Sequence, residues 1–225
     1  MKKITDILSA SKELGWVLEP QAKRLLSLAG LEVPKFKWAT DLEEAIHFTE
    51  EIGYPVVAKV VSSKALHKTD LGGVITGIHS DAKLNQVFSG FSVFEGFAGM
   101  LVEEMLSGVE LIVGAKMDYQ FGPVILLGIG GTGVEIYKDT SLRMAPLNER
   151  DVQSMVKGLK AHQLIEGYRG SEPVNLRELT RLLIDFSSLV MALEGQFESI
   201  DLNPVMCSSD KCVVADARIM LKSKT

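Results

Sequence analysis

The spacing of apolar residues changes character twice along this chain. Ile4, Ile7, Leu8 and Leu14 recur at helical intervals and predict an amphipathic first helix. A second helix is expected from about Pro20 to Gly30, because proline suits a first helical turn and glycine the residue just past the last. Phe36–Ala39 reads as a strand, and Thr40 with Glu43 has capping-box spacing for a helix that stops at Gly53. Pro55–Val61 is a β-branched apolar run, hence a strand. A polar stretch over 62–73 precedes a short strand, Val74–Ile78, and Asp81 is placed to cap another helix. From residue 100 the pattern is different. Met100–Leu106, Glu110–Met117, Pro123–Leu127 and Val134–Tyr137 predict four strands with too little chain between them for helices. Such neighbours must be mostly antiparallel, since parallel pairing needs long crossovers. Helical spacing returns after Asn148 and is longest over 175–193, where Leu182, Leu183, Phe186, Leu189, Val190 and Leu193 form a core stripe. Phe197–Leu202 and Val213–Leu221 predict two closing strands.

This order implies an α+β (α/β) protein of two lobes joined through a strand-rich middle. Ser107-Gly108 breaks two strands, so the expected division is 1–106, the first helix plus a small lobe, and 107–225, a large lobe. With 225 residues the chain is long enough for both. Its net charge of −5 argues against a nucleic-acid partner, which needs a broad positive field. No apolar run is long enough to span a membrane, and Met1-Lys2-Lys3 is followed by a polar helical stretch rather than a secretion signal. Cys207 and Cys212 flank an expected hairpin tip and have no clustered His or Cys to make a zinc site. They read as reduced thiols of a cytoplasmic protein, with a cross-hairpin disulfide as the alternative.

Several segments could carry chemistry. Gly128–Gly133 spells G-x-G-x-x-G, but the alternating Val134–Tyr137 follows it where a dinucleotide site needs a helix. It reads instead as a glycine-rich bend, or as backbone that a phosphate or loop can approach closely. Lys59 sits mid-strand in an apolar run, and a buried ammonium needs an anionic partner; a phosphate would serve, and an edge-strand lysine is the alternative. His67 lies in the polar stretch before Gly72-Gly73. It is either a phosphate acceptor, since neutral imidazole is a competent nucleophile, or a solvated loop histidine. Asp201 and Asn203 are two apart and share a face if the strand reaches them, and Asp216 can approach from the partner strand. Hard oxygen donors of this kind suit Mg²⁺, whereas a strand-end turn punctuated by Asn-Pro is the plainer reading. Glu103-Glu104-Met105 and Glu110 border the lobe boundary, either as a nucleotide hinge or as a solvated charged pair. Arg143 and Arg169 could each bind an anion or a surface carboxylate, and His47, His79 and His162 read as structural.

In order and spacing, Val57-Ala58-Lys59-Val60, His67-Lys68-Thr69-Asp70-Leu71-Gly72-Gly73, Leu101–Met105, Phe121-Gly122-Pro123, Gly130-Gly131, Gly167–Gly170, Asp201-Leu202-Asn203-Pro204 and Asp216-Ala217-Arg218 make a specific set. Through them nearly the whole chain resembles the ATP-grasp (β-type) subunit of the ADP-forming acyl-CoA synthetases, relatives of succinyl-CoA synthetase. The resemblance implies the ATP-grasp fold, with nucleotide held between two lobes. It implies that Lys59 contacts phosphates, with Gly72-Gly73 in the loop that closes over them. Glu103, Glu104 and Met105 would form the adenine hinge, and Glu110 would hold the ribose. Asn203 and Asp216 would bind Mg²⁺, with Asp201 near the transferring phosphate. His67 would carry phosphate between ADP/ATP and a CoA-binding α-type subunit, making a hetero-oligomer that interconverts acyl-CoA, ADP and phosphate with acid, ATP and CoA. An ATP-grasp carboxylate–amine ligase and a non-catalytic nucleotide-binding regulatory subunit are the competing readings.

Overall fold

The computed structural model describes residues 2–64, 71–131 and 139–222. In chain order these form α1 (Lys2–Ala10), β1 (Trp16–Val17), α2 (Glu19–Leu28), β2 (Phe36–Ala39), α3 (Leu42–Ile52), β3 (Val56–Ser62), β4 (Val74–Ile78), α4 (Asp81–Phe91) and β5 (Phe97–Glu104). They continue as β6 (Val109–Asp118), β7 (Gly122–Ile129), β8 (Thr140–Met144), α5 (Glu149–Gly158), α6 (Gln163–Glu166), α7 (Leu176–Ala192), β9 (Phe197–Cys207), β10 (Cys212–Val214) and β11 (Arg218–Leu221).

The chain divides into two compact units. One comprises residues 18–20 and 34–106; the other comprises 1–17, 21–33 and 107–225. Leu106 and Ser107 fall in different units, but the N-terminal segment does not group as 1–106 would have it. The reason is burial. Ile4 and Leu8 of α1 and Leu25 and Leu26 of α2 join the same core as β6, β7, β9 and α7, and β1 pairs with β11.

In the smaller unit the strand order is β2-β5-β3-β4, all antiparallel. Residues of alternate parity face opposite ways along a strand. Val56, Ala58 and Val60 of β3 and Met100 and Val102 of β5 face the core with Ala45 of α3 and with Leu84, Val87 and Phe91 of α4. Val57 and Lys59 of β3, with Leu101 and Glu103 of β5, occupy the other face. Caps fall one residue from those expected. The carboxylate of Asp41, not Thr40, accepts the Glu44 N–H at 2.9 Å, and Thr40 donates its own N–H to Glu44 at 3.0 Å. Ser80 rather than Asp81 caps α4, because its hydroxyl reaches the Lys83 N–H from an extended backbone.

In the larger unit the described residues form a sheet of order β1-β11-β9-β6-β7-β8, with β10 also on β9. Leu111, Val113, Ile125, Leu127, Ile200, Leu202 and Val205 bury one face in the main core with α5 and α7. Asn148 and Asn175 cap these helices through their side-chain oxygens. The opposite face carries Glu110, Ile112, Gly114 and Lys116 of β6, Val124 and Leu126 of β7, and Ser199, Asp201 and Asn203 of β9.

Two expectations about the closing strands change. β9 does not stop at Leu202 but runs on to Cys207, so Asn203-Pro204 lies inside a strand rather than in a terminal turn. The expected strand Val213–Leu221 is two short strands with a break at 215–217. Both changes fall beside one irregularity. The β6–β9 register slips between Leu111↔Val205 and Val113↔Leu202, so β9 carries one extra residue there, a bulge at Asn203-Pro204. Proline has no N–H to give a neighbouring strand, and the edge beside it is filled by the 215–217 turn. The expected strand Val134–Tyr137 lies outside the described residues.

Candidate functional site

The bulge and the break face each other. The Pro204 carbonyl accepts the Ala215 N–H at 3.0 Å and the Asp216 N–H at 3.4 Å. This brings the backbone of Asp216 to the residue following Asn203, so the two proposed magnesium ligands share one corner of the sheet. Asp201 and Asn203 share the open face, as their spacing anticipated. Arg218, the register partner of Asp201, donates Nη2 to its Oδ2 at 3.1 Å. A bulge beside a functional corner is a common device for aiming a side chain.

Glu110 lies further along the same open face. Gly114 pairs with Asp201, and Glu110 pairs with Met206. Four residues of strand therefore separate Glu110 from the Asp201 position, roughly 13 Å. Gly130 donates its N–H to the Glu110 carbonyl at 2.7 Å. A Cβ at Gly130 would sit 3.1 Å from that oxygen, a tight contact that a larger residue would meet only if the Glu110 backbone gave way by a few tenths of an ångström. Within the larger unit, then, one face presents Glu110, Asp201, Asn203 and the Asp216 turn.

The smaller unit gathers the remaining candidates. β3 lies between β5 and β4, which removes the edge-strand reading of Lys59. Its ammonium is buried and ion-paired with Glu19 at 2.8 Å and with Glu103 at 3.2 Å. Lys59 pairs with Val74, and Gly73 accepts the Val60 N–H at 2.8 Å, so Gly72-Gly73 enter beside Lys59. Gly72 holds φ +70, a conformation open mainly to glycine.

The Glu103–Met105 segment differs from a solvated charged pair. Glu103 is buried, and its carboxylate is committed to Lys59. Glu104 is tied to Lys35 twice, its N–H to the Lys35 carbonyl at 3.1 Å and its carboxylate to the Lys35 N–H at 3.0 Å. Met105 follows the end of β5 with an exposed side chain. His67 lies outside the described residues.

Three residues of consequence were not singled out by sequence. Glu19 and Lys23 are charged yet buried on α2, and Arg218 pairs with Asp201. Glu19, Ala22, Lys23 and Leu26 are spaced i, i+3, i+4, i+7, so a signal existed: two charges standing at core positions of a helical stripe. Arg218 stood in the Asp216-Ala217-Arg218 motif without a role.

A metal at the corner would find the amide oxygen of Asn203 and the carboxylate of Asp216, both hard donors. Among the described residues no group of three or more His, Cys, Asp or Glu is arranged to hold a metal ion. Two oxygen ligands nevertheless fit Mg²⁺ that arrives with phosphate, because that ion keeps water and phosphate oxygens as its other ligands. Cys207 and Cys212 are free and buried, facing each other across β9 and β10. A hydrogen bond with Cys212, and then burial, push the Cys207 thiol well above its ordinary range. No helix among the described residues is long and apolar enough to cross a membrane.

Comparison with known proteins gives a consistent result. Residues 9–221 match the model of an ATP-grasp domain. The chain is 38% identical to the β subunit of an ADP-forming acetate–CoA ligase (form I) of Pyrococcus furiosus, over 97% of this chain and 98% of that one. A Candidatus Korarchaeum cryptofilum structure with coenzyme A superimposes with TM-score 0.90 at 38% identity, covering 97% of this chain and 100% of that one. An acetyl-coenzyme A synthetase structure from the same organism holds coenzyme A and Mg-AMPPCP, with a phosphohistidine segment pointing towards its nucleotide-binding site. It matches with TM-score 0.86 and 37% identity over 97% of this chain and 100% of that one.

Proposed function

The chain belongs to the ATP-grasp family, in the group of ADP-forming acyl-CoA ligase β subunits, and on that premise we propose that it is the nucleotide-binding subunit of such an enzyme. It works in the cytoplasm with a CoA-binding α-type subunit, and the pair interconverts acyl-CoA, ADP and phosphate with carboxylic acid, ATP and CoA. The observation that carries this reading is the end-to-end likeness to a β subunit, covering 98% of that relative.

The residues divide the work by chemistry. Met105 and the end of β5 receive the adenine, and Glu110 accepts hydrogen bonds from the ribose hydroxyls. The Lys59 ammonium donates to phosphate oxygens, and Gly72-Gly73 let the neighbouring backbone come close to them. Asn203 and Asp216 would hold Mg²⁺, which when bound would supply charge neutralisation of the phosphates. His67 carries the phosphoryl group. In the ATP-forming direction its N–P bond breaks as a terminal oxygen of ADP forms the new O–P bond, and the imidazole is left free. Positioning and charge neutralisation supply most of the acceleration of such a transfer. Arg218 fixes the Asp201 carboxylate beside the metal corner.

The test is base-stable, acid-labile ³²P incorporation from [γ-³²P]ATP and Mg²⁺, with the CoA-binding subunit present. Label on this chain that disappears in His67→Ala is the expected result. Label on neither protein would overturn the reading in favour of a carboxylate–amine ligase or a regulatory subunit. Label on the partner alone, unchanged by the substitution, would remove His67 from the mechanism.

A further inference from the structure

Glu19 and Lys23 stand one helical turn apart on the same face of α2, and both are buried, at 3% and 0% exposure. Charged side chains at core positions are costly unless specific partners receive them, and packing alone would be served by residues such as the neighbouring Ala22, Leu25 and Leu26. What each charge touches is therefore informative.

Glu19 accepts the Lys59 ammonium at 2.8 Å while Glu103 approaches the same nitrogen at 3.2 Å. Two carboxylates on different elements fix the direction of a long, flexible side chain that would otherwise sample many rotamers. Lys23 donates its ammonium to the Ala215 carbonyl at 2.7 Å. The N–H groups of Ala215 and Asp216 are held by Pro204. The peptide group joining Ala215 to Asp216 is thus gripped at its oxygen and at its nitrogen, which sets the direction from which the Asp216 side chain leaves the backbone. Each contact stays inside its own unit.

We infer that Glu19 and Lys23 are positioning residues of the nucleotide site, Glu19 aiming Lys59 at phosphate and Lys23 presetting Asp216 for the metal. Neither touches substrate. Both act through a residue that does, so the inference rests on the nucleotide-binding role proposed above. A preorganised ammonium and carboxylate need no ordering when the nucleotide arrives, which is where such residues gain affinity. The geometry also separates their effects: Glu19 governs a contact to phosphate, Lys23 a contact to metal.

The experiment is titration calorimetry on the purified chain with adenosine, metal-free ATP and Mg-ATP, alongside thermal unfolding. Wild type is measured first, and failure to bind Mg-ATP there would sink the nucleotide role itself rather than this inference. Glu19→Gln is expected to weaken ATP about tenfold while leaving adenosine, which has no phosphate, unchanged. Glu19→Asp keeps the charge but draws it back by one methylene, and its affinity should lie in between. Lys23→Met should leave metal-free ATP alone and raise the Mg²⁺ needed for saturation roughly tenfold. Equal losses for adenosine and ATP would mark a merely structural role. A folded Glu19→Gln with wild-type ATP affinity, or a Lys23→Met with an unchanged Mg²⁺ requirement, would overturn the assignment. If either variant fails to fold, Glu19→Asp and Lys23→Gln carry the same comparison, and wild-type values in them would be equally damaging.

Discussion

Replacing Lys59 by methionine preserves side-chain length and removes one charge, and from its strand position alone it is a mild change. The structure makes it severe. The Lys59 side chain is 6% exposed, and the Glu19 and Glu103 side chains that flank it are each 3% exposed. Methionine would leave both carboxylates in place without this ammonium. Removing one partner of a buried ion pair typically costs about 3–5 kcal/mol, because the charge left behind keeps its desolvation penalty and loses its compensation. For a chain of this size each kcal/mol corresponds to about 2–4 °C, so the melting temperature should fall by about 6–20 °C. Thermal unfolding followed by circular dichroism measures this directly. Adding Glu19→Gln and Glu103→Gln to Lys59→Met neutralises the cluster and should recover more than half of the loss. A single Lys59→Met within about 1 kcal/mol of wild type would refute the reasoning, since it would mean that the ammonium does not carry the two carboxylates.

Two other outcomes are expected. Gly108 holds φ +143, and a Cβ there would lie 2.4 Å from the Cys207 carbonyl oxygen, so Gly108→Ala must part the start of β6 from β9. A cost of about 1–3 kcal/mol in urea unfolding is expected, and an unaltered midpoint would contradict the described approach. The Cys207 thiol is pushed up by its hydrogen bond to Cys212 and then by burial, so the folded chain holds that proton more tightly than the unfolded chain does. An acid whose folded pKa is raised contributes stability in full below its unfolded value, about 8.5 for cysteine, and loses it as pH rises beyond. The melting temperature should therefore drop more steeply above about pH 8.5 in wild type than in Cys207→Ala. Identical slopes would dismiss the effect.

Some of this molecule was open to reading in the chain itself. Alternating and helical spacings located most elements to within a few residues, because which residues can face a core is a local property of strand and helix geometry. The motifs from Lys59 to Asp216 implied nucleotide chemistry through the family they resemble, while the donor types alone left plainer readings open. Failures fell where a local pattern had two solutions. Thr40 and Asp41 can each cap α3, and side-chain direction decides between them. Asn-Pro can end a strand or sit in a bulge, and the register of β6 against β9 decides that.

The partners of the buried charges were a different matter. Sequence fixed the identity of Glu19, Lys23 and Lys59 but not their company. Glu19 meets Lys59 across a separation of 40 residues, and Lys23 meets Ala215 across 192. Periodicity determined that this chain forms helices and antiparallel strands, and the resemblance of its motifs to a known family implied a nucleotide site. Only the tertiary structure decided that α2 places its two charges against Lys59 and against the Asp216 turn. Burial and charge pairing depend on which elements pack together, and no local pattern encodes that.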